Sequence, residues 1–409
     1  MTPLPDLRIR RVPNPGRTVG RFVLYWMVGA RRLTWNPALD HAVALARHLD
    51  LGLLVFEPLR IDYPWASARF HTFVLQGMVD NAATAAGVPG VTYFPYVEPA
   101  PGASRGLLDA LAAEAAVVVA DDVPGFFQAR MVDRVAPRLP CPVEVVDGWG
   151  VAPMRAPGQA FPTAFAFRRY LQAHLAAFLP YRPTPDPFAT PLASAAPALP
   201  PTVTARWPAF ETRQDVVAHV RGLPLDQAVG TVDDMPGGAR AASARLARFI
   251  ARGLPRYVED RNDPDAAVTS GLSPYLHFGH LSVHQVFAGL AKQEDWTRSK
   301  IKPTTSGERG WLGMSANAPL SGAFSMYGAL AFGRLKTPMS GGDEVVKFKA
   351  DYRLTEVGLA WGSSPGTWPR RWTLTAGYRI QVMGSKEAFG TQDGRDTTQG
   401  LTLGVIATF

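Results

Sequence analysis

The sequence predicts an α/β domain with a parallel sheet, then an α-helical domain, and then antiparallel β strands. Three observations lead to this: short apolar runs alternate with helical stretches in the first part, the middle part keeps only helical spacing, and the last part alternates apolar and polar residues. At 409 residues the chain is long enough for two or more cores. The predicted boundaries are 18–155, 156–208, 209–298 and 299–409.

Five short apolar runs predict the strands of the first domain. They lie at residues 21–28, 51–58, 91–99, 115–122 and 141–148, and helical stretches lie between them at 36–48, 68–86 and 105–114. Strands that alternate with helices predict a parallel sheet with helices on both faces. Because no Gly-x-Gly-x-x-Gly follows the first strand, a dinucleotide-binding fingerprint is absent and the ligand of this domain stays open.

A proline-rich segment precedes the helical region. Prolines recur through residues 180–208, and since proline interrupts both helices and sheet ladders, we predict a linker there. Beyond it the apolar residues follow the spacing of one helical face, which predicts the start of an α-helical domain. These residues are Leu246, Phe249, Ile250 and Leu254.

The composition narrows the class of protein. With 47% hydrophobic and 19% charged residues the chain is globular, and its net charge of +8 favours an anionic partner such as nucleic acid. Cys141 is the single cysteine, which excludes an internal disulfide framework and a thiolate metal cage. The N-terminus is rich in arginine and proline where an export signal would be apolar, so we expect a cytoplasmic protein.

The stretch TSGLSPYLHFGHLS at residues 269–282 admits three interpretations. Thr269, Ser270 and Ser273 lie where helix caps lie, which predicts an ordinary helix start or, at the same N–H groups, a phosphate site. His277, His280 and His284 have the spacing of one helical face, which is compatible with a metal. No cysteine or carboxylate accompanies these histidines in the helix, so we predict no metal site.

Two stretches near the end of the sequence, residues 372–382 and 401–409, alternate between apolar and polar side chains. The apolar face comprises Trp372, Leu374, Ala376, Tyr378, Ile380 and Val382, and Leu401, Leu403, Val405, Ala407 and Phe409. A soluble β-sandwich and an outer-membrane barrel wall both have this pattern. The closing strand with its terminal Phe409 resembles the assembly signal of bacterial outer-membrane β-barrels. The whole segment 299–409 offers about six strands, fewer than the eight of the smallest closed barrels.

The stretch RYVEDRNDPDAAVTSGLSPYLHFGHLS at residues 256–282 resembles the start of the flavin-binding domain of DNA photolyases, in particular the class II cyclobutane pyrimidine dimer photolyases of the photolyase and cryptochrome family. The resemblance extends over about residues 18–297, so the first domain would be the antenna domain, with an unidentified second chromophore. It implies FAD as cofactor. The residues that it implies around FAD are Tyr257, Thr269, Ser270, Leu272 and Ser273, with Thr269, Ser270 and Ser273 near the diphosphate.

The resemblance implies light-driven, FAD-dependent repair of pyrimidine dimers in UV-damaged DNA, with no protein partner. After Thr297, however, the helices that complete the family's flavin domain do not follow, so the resemblance implies a truncated flavin domain. An inactive chimera, in which a photolyase front is joined to an outer-membrane C-terminus, is the alternative. A membrane would be a partner only if the C-terminal segment were exported, and we find no signal for export.

Overall fold

In a computed structural model the chain folds into two compact units, which meet in sequence at residues 301 and 302. The structure describes residues 4–14, 16, 19–161 and 163–297 of the first unit. In the second unit it describes five strands, at residues 310–321, 324–341, 344–362, 371–385 and 394–408.

A six-stranded sheet lies at the centre of the first unit. Its strands are β1 (Ile9–Val12), β2 (Phe22–Trp26), β3 (Gly52–Leu59), β4 (Val91–Val97), β5 (Ala115–Asp121) and β6 (Val143–Val146). They lie in the order β1-β6-β5-β2-β3-β4, and among them only β1 pairs antiparallel. The predicted parallel sheet is therefore confirmed. Every residue of β2 and β5 is buried, as expected for strands covered on both faces.

Eleven described helices accompany the sheet. They are α1 (Pro37–Leu49), α2 (Ala68–Ala85), α3 (Leu107–Ala112), α4 (Phe126–Val135), α5 (Ala164–Phe178), α6 (Pro201–Arg206), α7 (Val216–Arg221), α8 (Ala239–Arg248), α9 (Tyr257–Asp260), α10 (Ser273–His277) and α11 (Val283–Gln293). The start of α1 is set by Asn36, whose side chain accepts hydrogen bonds from the N–H groups of Ala38 and Leu39. No helix in the described ranges combines the length and apolarity needed to cross a membrane.

Strand β1 lies outside the range 18–155 predicted for this domain. It extends the sheet beyond β6 and follows a buried arginine, Arg8, that is 1% exposed. The Arg8 guanidinium donates hydrogen bonds to the backbone oxygens of Asp147, Gly150 and Val151 at 3.2, 3.0 and 2.6 Å. These acceptors compensate for the cost of burying a guanidinium, which would otherwise exclude this basic segment from the core.

The proline-rich segment packs against the sheet. Thr92 Oγ1 donates to the backbone oxygen of Pro197 at 2.7 Å, and Leu192 belongs to the same buried cluster as Leu53 of β3. The prediction that prolines exclude helices here is wrong at α6, because Pro201 occupies the first helical position, where the missing N–H has no intrahelical partner to lose. Trp207 then enters the core and donates to the backbone oxygen of Ala103 at 2.8 Å.

The aromatic stretch at residues 273–293 forms two helices instead of one. Helix α10 ends at His277, Gly279 follows with a φ of 74°, and Ser282 caps the start of α11 by accepting from the N–H of His284 at 3.2 Å. The prediction that His277, His280 and His284 share a helical face is therefore wrong. Gly279 has no room for a side chain, since a Cβ there would lie 2.7 Å from the backbone nitrogen of Arg31.

The second unit is an antiparallel sheet. Its strands are β7 (Gly310–Ser321), β8 (Phe324–Gly341), β9 (Glu344–Gly362), β10 (Arg371–Ser385) and β11 (Gly394–Thr408), each paired with its neighbour in sequence. Val357, Tyr378 and Leu401 lie side by side across three strands and are all exposed. Phe409, which carries the predicted assembly signal, lies outside the described residues.

Candidate functional site

A cavity of about 1000 Å³ opens at the carboxyl ends of β2, β3 and β5. In the chain, β2 is followed by β3 and β4 on one side of the sheet and by β5 and β6 on the other. The strand order therefore reverses between β2 and β5, and open α/β sheets bind ligands in the crevice at such a reversal. The cavity is large enough for a drug-sized ligand.

Aromatic and arginine side chains line this aromatic–arginine pocket. The aromatic side chains are Trp26, Phe56, Tyr63, Trp65, Phe70, Phe127, Trp149 and Phe278, and the arginines are Arg31, Arg60, Arg105 and Arg138. Tyr63 stacks on Phe127 with ring centroids 5.7 Å apart, and burial raises the pKa of Tyr63 to about 12. Such a wall suits a flat aromatic ligand, with Tyr63 as a neutral hydrogen-bonding group at neutral pH.

The four pocket arginines fall into two pairs. Arg31 lies 3.1 Å from the buried Glu57, and Arg60 lies 3.2 Å from Asp62, so both already have acidic partners. Arg105 and Arg138 are exposed and have no ion pair within the described residues. The positive charge available to a ligand is therefore at these two positions.

The loop after β2 is already occupied by an acidic side chain of the protein. The carboxylate of Asp121, at the end of β5, accepts hydrogen bonds from the N–H groups of Val28, Gly29 and Ala30 at 2.8–2.9 Å. Its other oxygen accepts from the hydroxyl of Tyr25 at 2.8 Å. Phosphates bind such clusters of N–H groups in dinucleotide-binding folds. A ligand of this pocket must therefore place any phosphate elsewhere, which agrees with the missing glycine fingerprint.

A second candidate site is the hydroxyl loop, which we define as residues 269–273 between α9 and α10. Thr269 and Ser273 are exposed and Ser270 is half-buried, so the structure brings the three predicted hydroxyl residues to one short turn. Leu272 differs, because it is 3% exposed and its side chain belongs to a buried cluster with Phe73. Only the backbone of Leu272 is available to a ligand.

Tyr257, the fifth predicted residue, begins α9 and is half-buried. Its ring meets Phe249 edge to face at 5.6 Å, and the Arg261 guanidinium lies 6.0 Å from the ring centre. Helix α10 begins at Ser273, the last residue of the hydroxyl loop, and the residues around its C-terminal end, Leu276 to Phe278, line the pocket. The two candidate sites are therefore joined by one short helix.

The hydroxyl loop fits the diphosphate part of FAD. It offers three hydroxyls, and Gly271 adopts a φ of 62°, a turn conformation that lets the backbone approach a ligand closely. Arg245 adds a cation, with Nε donating to the backbone oxygen of Ser270 at 3.1 Å. Within the described residues, no group of three His, Cys, Asp or Glu side chains could hold a metal ion.

Sequence reasoning missed both the pocket and Arg245. The pocket residues come from eight or more separate segments between Trp26 and Phe278, and no local spacing joins them. The reversal of strand order that marks this crevice is a property of the folded sheet and does not follow from the order of the elements in sequence. Arg245 lies in an arginine-rich helix, where no local pattern separates it from Arg240 or Arg248.

Curated relatives of the chain are deoxyribodipyrimidine photo-lyases. The one from Methanothermobacter thermautotrophicus is 28% identical over 264 residues, 64% of this chain and 54% of that protein. The one from Oryza sativa subsp. japonica is 29% identical over 294 residues, 68% of this chain and 54% of that protein. The one from Potorous tridactylus is 37% identical over 71 residues, 17% of this chain and 13% of that protein.

Among solved structures, a bacterial class III photolyase from Agrobacterium tumefaciens is 19% identical with a TM-score of 0.49, covering 69% of this chain and 56% of that one. No protein-family model matches the chain. The chain spans about half the length of the curated relatives from Methanothermobacter and rice. The outer-membrane resemblance of the C-terminal segment is not supported by these comparisons and stays a prediction. The N-terminal two thirds of this chain are homologous to the deoxyribodipyrimidine photolyases.

Proposed function

We propose that the chain is a photolyase that binds FAD and repairs cyclobutane pyrimidine dimers in DNA by a light-driven reaction. The observation that carries this proposal is the hydroxyl loop, where three hydroxyls, a glycine with positive φ and a guanidinium lie together in the photolyase-homologous part of the chain. Bound there, FAD would supply the electron chemistry that light drives. The loop residues would hold its diphosphate through N–H and O–H donors and the positive charge of Arg245.

UV-damaged DNA is the proposed substrate. A net charge of +8 favours contact with the phosphate backbone, which gives affinity without reading sequence. Repair of a dimer requires that the lesion leave the base stack, and unstacking a damaged base costs less than unstacking a paired one. We expect binding to dimer-containing DNA to weaken as salt is added, because backbone contacts release counterions.

Purified full-length chain, expressed in the dark, is expected to show flavin absorbance in the near ultraviolet and blue. FAD released by denaturation, measured by fluorescence and compared with protein concentration, gives the occupancy. Illumination with a dimer-containing oligonucleotide should then restore the absorbance of the thymines. A chain that is folded by circular dichroism but takes up no FAD from excess cofactor would refute the proposal.

An inactive chimera is the second candidate, and a specific observation favours it. The chain divides at residues 301 and 302 into the photolyase-homologous unit and a separate unit whose described residues form an antiparallel sheet. In this candidate the first unit keeps its α/β domain and binds no flavin. A chain that unfolds cooperatively but takes up no FAD would support this candidate.

For the aromatic–arginine pocket we propose a second, light-collecting chromophore that is planar and carries an anionic tail. The aromatic walls would hold the rings, and Arg105 and Arg138 would meet the tail. Replacing both arginines with alanine is expected to weaken binding of a phosphate-tailed deazaflavin by about two- to tenfold, as for exposed ion pairs.

The matched controls for this pocket separate the loss of positive charge from a change in the shape of the pocket. The tail-free deazaflavin should bind the double variant and the wild-type chain equally well. Arg134→Ala, which removes one exposed arginine outside the pocket lining, should leave the affinity for both ligands unchanged. Equal weakening for tailed and tail-free ligands would count against a role of these arginines in binding the tail.

A further inference from the structure

The guanidinium of Arg245 lies against the backbone of the hydroxyl loop. Arg245 is half-buried near the end of α8, and its Nε donates to the backbone oxygen of Ser270 at 3.1 Å. That hydrogen bond uses one of the five N–H donors of a guanidinium. Within the described residues no other side-chain hydrogen bond of Arg245 is formed, so four donors stay available at the loop.

Gly271 makes room for this guanidinium. A Cβ built at Gly271 would lie 2.8 Å from both Cζ and Nε of Arg245, and the φ of 62° is one that residues with a side chain rarely adopt. The space that any other residue would fill at position 271 is therefore occupied by the cation. The position of the Arg245 guanidinium beside the loop therefore depends on glycine at position 271.

Arg245 has no acidic partner, unlike other arginines in the same region. Arg240, at the start of α8, lies 3.9 Å from Asp80, and Arg256 pairs with Asp260 four residues later. No ion pair of Arg245 occurs within the described ranges of the chain. Burying half of a guanidinium without a counter-charge costs free energy, and a bound anion offsets that cost.

Two arginines act electrostatically on Tyr275, close to the loop. Burial raises the pKa of Tyr275, whereas the positive charges of Arg245 and Arg248 act to lower it and Asp234 acts to raise it again. Two arginines thus act on the residue two positions after the loop. An anion that approaches the loop meets both this charge and the three hydroxyls.

We propose that Arg245 is a cofactor-binding residue whose guanidinium pairs with the diphosphate of the dinucleotide bound at the hydroxyl loop. The inference rests on the proposed function, since it takes FAD as the dinucleotide. A planar guanidinium with several donors suits a phosphate better than a lysine does, because two parallel N–H groups meet two oxygens. Gly271 is required because it leaves the guanidinium beside the loop.

The test compares two ligands that carry a diphosphate with one that carries none. FAD, ADP and riboflavin are titrated into the full-length apoprotein by calorimetry or flavin fluorescence, for the wild-type chain and for Arg245→Met. The variant is expected to bind FAD and ADP about 10- to 100-fold more weakly, since it loses a charge-assisted contact. Its affinity for riboflavin should stay within about twofold of the wild-type value.

Three further measurements separate an effect of charge from an effect on folding. Arg240→Met removes the same charge from the same helix, at a residue paired with Asp80, and should leave the affinity for FAD unchanged. In the wild-type chain itself, the affinity for ADP should fall as salt rises, because screening weakens the ion pair. Arg245→Lys should recover part of the loss, since it restores the charge without the paired donors.

The outcomes distinguish this inference from the proposed function. If FAD binds and Arg245→Met binds it equally well, the inference is overturned while the function stands. If ADP binding depends on Arg245 but FAD does not bind, the inference stands for a diphosphate ligand and the function fails. If Arg245→Met weakens the binding of riboflavin as strongly as the binding of FAD, Arg245 only stabilises the structure of the loop and the inference is overturned.

Discussion

Asp121→Ala is expected to lower the free energy of unfolding of the first unit by about 3–5 kcal/mol, the cost of removing one partner from a buried polar cluster. The carboxylate is 2% exposed and accepts from three consecutive backbone N–H groups. Without it these donors and the hydroxyl of Tyr25 stay buried with no acceptor. The loop that forms one wall of the aromatic–arginine pocket should then open.

The opening of this loop is measured directly by hydrogen exchange of the amides of Val28, Gly29 and Ala30, followed by mass spectrometry. Asp121→Asn keeps one oxygen acceptor and should cost less than alanine, about 1–2 kcal/mol. Asp133→Ala is the control, because its side chain is largely exposed and its ion pair with Arg10 lies at the surface. Exchange as slow in Asp121→Ala as in the wild-type chain would show that the N–H groups find other partners.

The central strands could be predicted because their residues carry the signal locally. Strands β2, β3 and β5 are continuous apolar runs, and the helices between them show helical periodicity. Strand β1 could not be predicted, because the burial of Arg8 depends on backbone oxygens about 140 residues further along the chain. A basic segment without apolar periodicity otherwise indicates an exposed terminus.

The candidate site likewise has parts that could be predicted from the sequence and parts that could not. The hydroxyl loop was found from its own residues, since Ser, Thr and Gly before Pro274 form a recognisable pattern. The break between α10 and α11 was missed, although Gly279 after the helix was a signal for it. Gly279 also lies in close contact with the loop after β2. That contact depends on tertiary structure and has no local signature in the sequence.

Acidification is expected to destabilise the first unit by about 3 kcal/mol between pH 6.5 and 4, because two buried histidines stay neutral in the folded chain. His280 is 1% exposed, and its Nδ1 accepts from the N–H of Gly238 at 2.9 Å. Burial, reinforced by Arg31 and Arg32, lowers the pKa of His280 to about 3. For His284, burial and nearby arginines lower the pKa to about 3 as well.

The sign follows from which state takes up protons first. The unfolded chain binds them near pH 6.5 and the folded chain only near pH 3, so stability is full above pH 6.5 and falls as pH decreases. Each histidine contributes up to about 1.4 kcal/mol per pH unit over this window. Asp40 acts in the opposite direction below pH 6, since burial raises its pKa to about 6 and the folded chain protonates it first. One histidine is thereby offset, and the other determines the net loss.

Urea unfolding of the full-length chain at a series of pH values measures this slope, with the loop amides as the probe of the first unit. His280→Asn should reduce it by about one proton, because asparagine does not titrate and its amide oxygen can still accept from Gly238. A slope that is equal in His280→Asn and wild type would mean that the buried imidazole accepts a proton without unfolding. The contact between the rings of His280 and Phe73, whose centroids lie 4.9 Å apart, would then have to open and admit water or an anion to solvate the charge.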